Sequence, residues 1–154
     1  MVEVRGFGQT MSHLQIPDSR IGYFHPRDAM DADLTYASFF LGRPLLGMRV
    51  WDALSAVAYV RSRPVVDPGH TAIVGRGWAG VLAAYAGALD RGLACVAVES
   101  VPASYEEITR SEEYTQPVSL MLPGVLKDFD LPDVHGAVAP RPSSVAWEVA
   151  SPDL

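Results

Sequence analysis

Apolar residues recur at helical spacing in the segment that follows Pro44. Four aliphatic residues are separated by four, four and three positions: Leu46, Val50, Leu54 and Val57. This spacing places them on one face of a helix, and Pro64 removes a backbone donor just beyond the run. The pattern therefore predicts an amphipathic helix between the two prolines.

Two continuous apolar runs flank an alanine-rich segment in the middle of the chain. TAIVG, from Thr71, and LACVAV, from Leu93, are too short for helices and are typical of strands buried on both faces. The intervening RGWAGVLAAYAGALDRG is rich in helix-forming residues, with Gly92 as a stop signal. Such a βαβ unit predicts two adjacent parallel strands joined by a right-handed crossover. The predicted fold class is α/β.

The other segments predict short elements separated by turns. Residues 2–5 predict the end of a strand that leads into the glycine loop RGFG, and residues 9–33 predict a long irregular loop. Ser104 and Glu107 have the spacing of a capping box at the start of a short polar helix. Prolines and short helical turns follow, and SSVAWEVA at residues 143–150 predicts a final strand.

Composition and charge narrow the class of protein. The chain has 154 residues, of which 49% are hydrophobic and 19% charged, and this predicts one folded domain. Twelve basic residues against 18 acidic ones give a net charge of −6, and the bases form no stripe, so we expect no nucleic-acid partner.

Membrane and thiol chemistry are not expected either. No apolar run approaches the roughly 18 to 20 residues that span a bilayer, and the first residues lack the layout of a signal sequence. We expect no membrane association, and a cytoplasmic location if the chain is complete as written; otherwise the compartment is unknown. Cys95 lies in an apolar run and predicts a buried structural thiol.

The segment G-R-G-W-A-G at residues 75–80 lies between a predicted strand and a predicted helix, where α/β sheets place their ligands. The dinucleotide fingerprint G-x-G-x-x-G has this form, and Glu99 lies where that fold binds a ribose hydroxyl. In this interpretation Gly75, Gly77 and Gly80 allow the close approach of pyrophosphate. The predicted ligand is then NAD, NADP or FAD.

The same turn also has the form of the nucleophile elbow G-x-S-x-G, which joins a strand to a helix. Gly75 and Ala79 supply the small residues that such a sharp turn needs on either side of the nucleophile. Gly77 occupies the nucleophile position, has no side chain, and is expected at the tip of the turn with positive φ. A third interpretation is a glycine turn that only joins a strand to a helix.

Three further stretches decide between these interpretations. The opening VEVRGFGQT resembles a strand followed by a D-x-R-G-x-G loop, and LLGMRVWDALSAVAYVRSRPVVDPGHTAIVG is similar to a helix, a turn and a nucleophile strand. PGVLKDFDLPDV with AVAPRP resembles the approach to an acid-bearing strand. In this order they resemble the α/β-hydrolase superfamily, specifically acetyl xylan esterase and cephalosporin-C deacetylase-like esterases.

The resemblance implies ester cleavage by a serine, a histidine base, an orienting acid and backbone oxyanion donors. It places Gly77 at the nucleophile position, the Trp78 N–H as first oxyanion donor and Asp153 as the acid, with Glu148 a poorer match for the acid. No histidine occupies a family position, so none receives a role: His13, His25, His70 and His135. The implied substrate is a small-molecule or carbohydrate acetyl ester, with no cofactor and no metal.

The resemblance also implies an incomplete fold. Residues 1–154 correspond to one partial α/β-hydrolase domain with a mostly parallel sheet, which lacks the opening strands and the final helix and strand. One absent strand belongs between the RGFG strand and the nucleophile strand, so we expect a gap there. Residues 2–5 close directly against TAIV, or a longer parent or a partner supplies strands. Unpaired edges predict self-association.

The expected function is therefore that of a homologue of carboxylic ester hydrolases whose catalytic machinery is incomplete, either degenerate or truncated. Two other classes stay open: a dinucleotide-binding module that uses residues 75–80 and Glu99, and a non-catalytic structural or interaction protein.

Overall fold

The computed structural model describes residues 1–10, 26–112 and 116–147. In chain order the helices and strands are α1 (Pro26–Phe40), α2 (Leu45–Arg61), β1 (Ala72–Arg76), α3 (Trp78–Leu89), β2 (Cys95–Val101), α4 (Tyr105–Arg110), α5 (Leu131–Gly136) and β3 (Ser143–Trp147). Short 3-10 turns join several of them. The mixture of helices with a parallel sheet confirms the predicted α/β class.

The strands form one parallel sheet in the order β1–β2–β3. Ala72 lies opposite Cys95 and Arg76 opposite Glu99, and Val96 of β2 lies opposite Ser143 of β3. The two central runs are therefore adjacent parallel strands joined through α3, as the βαβ pattern predicts. SSVAWEVA forms a strand as far as Trp147, and its last three residues lie outside the described part of the chain.

The hydrophobic core lies where α3 packs against β1 and β2 and where α2 and α5 pack against α3. In α2, Leu46, Val50 and Val57 are buried, and Leu54 packs against the same cluster. Each fully buried aliphatic side chain contributes about 1.5 to 3 kcal/mol relative to exposure. The helix predicted from the apolar spacing is confirmed. The residues at that spacing lie on one face of α2, and this is the face that packs into the core.

Two N-terminal predictions are wrong. Residues 1–4 form no strand; instead the Val4 carbonyl accepts hydrogen bonds from the Phe7 N–H at 3.2 Å and the Thr10 hydroxyl at 2.7 Å, within a local turn. The long loop predicted for residues 9–33 is also too long, because α1 begins at Pro26, a residue suited to the first turn of a helix. Residues 11–25 lie outside the described part.

The prediction that β1 is buried on both faces is also wrong. The helices cover the face that Ile73 and Gly75 present, whereas Ala72, Val74 and Arg76 are exposed on the other face, Val74 to 77%. Cys95 lies opposite Ala72 and is only partly buried for the same reason. A run of apolar residues reports hydrophobicity, but not whether a second layer covers the sheet.

The remaining short elements agree with the sequence patterns. The Ser104 hydroxyl accepts a hydrogen bond from the Glu107 N–H at 2.9 Å, which caps α4, although the helix ends earlier than the charged stretch. Proline-rich residues 122–142 form a short helical turn and α5, as expected. Within the described residues no helix is long and apolar enough to cross a membrane.

Candidate functional site

Gly77 lies at the tip of the turn between β1 and α3. Its φ of 58° and ψ of −134° fall in a region that glycine adopts freely and other residues adopt only with strain. The Gly77 N–H donates to the Glu99 carbonyl at 2.8 Å, and the Gly77 carbonyl accepts from the Gly80 N–H at 2.9 Å. These bonds attach the turn to β2 and to the first turn of α3. The predicted positive φ at Gly77 is confirmed.

The glycines on either side of Gly77 are required by close packing. A Cβ on Gly75 would stand 2.2 Å from the Ala79 carbonyl oxygen, and a Cβ on Gly80 would stand 2.4 Å from a methyl of Val101. A Cβ on Gly77 would meet no heavy atom within 4 Å. The turn is thus crowded at its flanks and open at its centre, which is the geometry that presents a nucleophile in an elbow.

The helix that follows begins with the residue assigned to the oxyanion donor. Trp78 is the first residue of α3, and its N–H has no acceptor among the residues that the structure describes. A free N–H at a helix start carries part of the positive end of the helix dipole and can bind a developing negative charge. The backbone therefore offers one hydrogen-bond donor at the start of α3, and Gly77 beside it has no side chain.

The RGFG segment, residues 5–8, packs against this helix start. The Phe7 ring stacks on the Trp78 indole with centroids 4.0 Å apart and planes inclined by 16°. The guanidinium carbon of Arg49 lies 4.4 Å from the centroid of Phe7 and 5.8 Å from that of Trp78. The N-terminal loop and the glycine turn, which are seventy positions apart in the chain, thus form one site.

Two charged residues of α2 hold the loop in this position. Arg49, 1% exposed, donates from Nε to the Arg5 carbonyl at 3.1 Å and from a terminal nitrogen to Asp31 at 2.6 Å. Asp52 accepts from the Arg5 backbone N–H at 3.1 Å and from Arg5 Nε at 2.7 Å. The hydrogen bonds from the Arg5 guanidinium lower the pKa of Asp52. The loop is therefore bound to α2 at both its backbone and its side chain.

Sequence reasoning missed the roles of Arg49, Asp52 and Phe7. A signal for Arg49 is present, because it follows Leu46 by three positions and therefore lies on the apolar face of α2. A charged residue at such a position needs a buried partner. The sequence does not show that the partners are Asp31 and the Arg5 carbonyl.

The other residues named from the resemblance are not brought together with Gly77. Asp153 and Glu148 lie outside the described residues, as do His13 and His25. His70 is an exposed residue of the turn before β1, where its Nδ1 lies 2.7 Å from an Asp67 oxygen. The length of β1, about 16 Å, therefore separates His70 from Gly77.

The last histidine and the proposed ribose-binding acid have separate surroundings. His135 is in the last turn of α5, which leads to the amino end of β3, and burial lowers the pKa of its imidazole. Glu99 is exposed near the carboxyl end of β2, with an oxygen 3.8 Å from Arg76 Nε. In the described part of the chain, no three His, Cys, Asp or Glu side chains converge on a metal position.

A cleft of about 620 Å³ adjoins the site, and we call it the edge cleft. It is lined by residues 1–4, Phe7 and Gly8 on one side, by β1 on another, and by α2 through Ala53, Ala56, Val57 and Val60. Residues 2–5 therefore do not close against β1. The cleft lies between a loop and β1, because residues 1–4 form no strand.

Comparison with known proteins gives a distant relative. The chain is 26% identical over 122 residues, 79% of its length, to the Bacillus subtilis (strain 168) protein named Putative hydrolase YtaP. The match covers 41% of that protein, so the chain spans about two fifths of the length of this relative. No protein-family model and no solved structure matches the chain. The similarity supports a relationship to hydrolases in general.

Proposed function

We propose that this chain is an α/β-hydrolase homologue related to carboxylic ester hydrolases of the acetyl xylan esterase type, with an elbow that has lost its nucleophile. The observation that carries the proposal is the turn at Gly77, which is crowded at Gly75 and Gly80 and open at its tip. The distant hydrolase relative supports the same ancestry. The substrate class toward which the site evolved is an acetyl ester.

The residues that remain can polarise a carbonyl but cannot form an acyl-enzyme. The free Trp78 N–H would donate to the carbonyl oxygen of an ester placed at the tip of the turn. Gly77 offers no oxygen or sulfur to attack the carbonyl carbon, and His70 lies beyond the opposite end of β1. Among the residues that the structure describes, position 77 therefore has no nucleophile and no histidine is shown beside it.

A cysteine at the tip tests the elbow without requiring a histidine. Gly77→Cys, in a Cys95→Ala background, places a thiol at the start of α3, where the helix dipole lowers a thiol pKa. The thiolate attacks p-nitrophenyl acetate, the acetyl group moves to sulfur, and p-nitrophenolate leaves. Gly124→Cys is the matched control, because Gly124 also has positive φ and open space but precedes only a three-residue 3-10 turn.

We expect the thiol at position 77 to be acetylated about 10-fold faster than the thiol at position 124, at equal pH and ester concentration. Mass spectrometry of the intact protein measures both rates. Equal rates would show that the turn confers no elbow chemistry and would refute the proposal. A release burst and acetyl adduct in the unmodified chain would refute the claim of a lost nucleophile.

The dinucleotide interpretation is kept as a second candidate because Glu99 is exposed beside the glycine turn. In that interpretation its carboxylate accepts from a ribose hydroxyl, and the start of α3 faces the pyrophosphate. Isothermal titration calorimetry with NAD, NADP or FAD tests the dinucleotide interpretation. Two results together would favour this function over the esterase ancestry. The first is saturable binding that weakens at least 10-fold in Glu99→Gln, and the second is an equal acetylation rate for the thiols of Gly77→Cys and Gly124→Cys.

A further inference from the structure

The edge cleft is bounded by an open strand edge. The Thr71 carbonyl accepts from the Ala94 N–H at 2.8 Å, and the Gly77 N–H donates to the Glu99 carbonyl at 2.8 Å. In a parallel ladder alternate residues bond to the same neighbour, so the odd-numbered residues of β1 bond to β2. Ala72, Val74 and Arg76 therefore direct their N–H and C=O groups away from β2, toward the cleft that they line.

The size of the edge cleft corresponds to that of a short strand. Strand spacing of about 4.8 Å, a rise of about 3.3 Å and a layer depth of about 10 Å give roughly 160 Å³ per residue. The cleft volume of about 620 Å³ therefore has room for about four residues of extended chain. This length corresponds to the exposed edge of β1, which has five residues.

The walls of the cleft determine what kind of strand can enter. Ala53 and Ala56 of α2 are small, so they leave room for apolar side chains on that face of an added strand. Residues 1–4 form the opposite wall, and Val4, 6% exposed, anchors them in the core. If a second copy of this chain paired its own β1 with this β1, its β2 would lie one strand further out, where it would meet the wall formed by residues 1–4.

We propose that the edge cleft binds one extended, mainly apolar peptide strand, which adds to β1 through main-chain hydrogen bonds. The donors and acceptors are the backbone groups of Ala72, Val74 and Arg76. Alternate side chains of the peptide occupy the space beside Ala53 and Ala56. This occupant converts the edge strand β1 into an interior strand, and the chain then acts as an interaction module independently of any ester chemistry.

The ligand arm of the test uses a fluorescent peptide. It has seven alternating Val and Thr residues, with one Lys added at each end for solubility. Two derivatives carry N-methyl groups, one on the odd-numbered and the other on the even-numbered residues of the peptide. Only one alternate set of peptide N–H groups can face β1. We expect saturable binding by fluorescence anisotropy, a loss of at least 10-fold for one derivative and little change for the other. Equal binding of all three peptides, or no binding of the parent peptide, would overturn the proposal.

The protein arm compares Val74→Pro with Val74→Ala. Proline removes the Val74 N–H that faces the cleft and leaves the ladder to β2 intact, as edge strands tolerate. We expect Val74→Pro to lose at least 10-fold in peptide affinity and Val74→Ala to retain it, with circular dichroism confirming that both fold. If Val74→Pro does not fold, the N-methylated peptides still decide the question. Sedimentation showing a dimer that Val74→Pro dissociates would assign the edge to a second copy and overturn the proposal.

Discussion

The ring of Phe7 lies nearly parallel to the indole of Trp78, with the two centroids 4.0 Å apart. Trp78 begins the helix that follows the glycine turn, and Phe7 belongs to the loop that α2 holds through Arg49 and Asp52. The contact therefore fixes the N-terminal RGFG loop against the turn at Gly77.

Removing this contact should destabilise the fold. Phe7→Ala loses an aromatic stack and the burial of part of the ring, and we expect a loss of about 2 kcal/mol in the free energy of unfolding. Urea denaturation followed by tryptophan fluorescence measures it. Phe40→Ala is the control, because Phe40 is 93% exposed and its loss should stay within about 0.5 kcal/mol. Equal losses for the two variants would show that the stack contributes nothing.

The ion pair of Arg49 should contribute far more than a surface pair. Arg49→Met preserves most of the side-chain length but leaves the Asp31 carboxylate and the Arg5 carbonyl without their donor. We expect a loss of about 3 kcal/mol, because breaking a buried pair leaves an uncompensated charge. Arg110→Met removes an exposed pair with Glu106 and should cost less than about 0.5 kcal/mol. Comparable urea midpoints for the two variants would contradict this difference.

Three glycine substitutions should rank in a definite order. Gly75→Ala brings a Cβ to 2.2 Å from a backbone oxygen and should cost more than about 3 kcal/mol or prevent folding. Gly77→Ala has open space but positive φ and should cost about 1 to 3 kcal/mol. Gly47→Ala, within α2 and unobstructed, should stabilise by about 0.5 to 1 kcal/mol. Thermal unfolding of the three variants tests the order, and a mildly destabilised Gly75→Ala would contradict the crowding at this turn.

Stability should fall in mild acid because of His135. Burial lowers its pKa in the folded state, so below about 6.5 the unfolded chain binds a proton that the folded chain does not. Its contribution is present above that pH and is lost as the pH falls toward the folded pKa. Urea midpoints at pH 7.5 and pH 5 should differ less in His135→Gln than in the unmodified chain. An unchanged difference would exclude His135 as the cause.

Local chemistry was enough to predict the centre of the molecule. The spacing of Leu46, Val50 and Val57 predicts α2, and the apolar runs around an alanine-rich segment predict β1, α3 and β2. The glycine pattern also predicts the positive φ at Gly77. These features depend on periodicity and on the steric freedom of single residues, both of which act within a few positions along the chain.

Contacts between distant segments decided the rest. The sequence by itself does not show that residues 1–4 turn back locally instead of forming a strand, or that one face of β1 stays open. Nor does it show that Arg49 joins Arg5 to Asp31. Burial and strand pairing depend on which surfaces meet in three dimensions. The same apolar run can form an interior strand or an exposed edge strand, and the segments that pack beside it decide which.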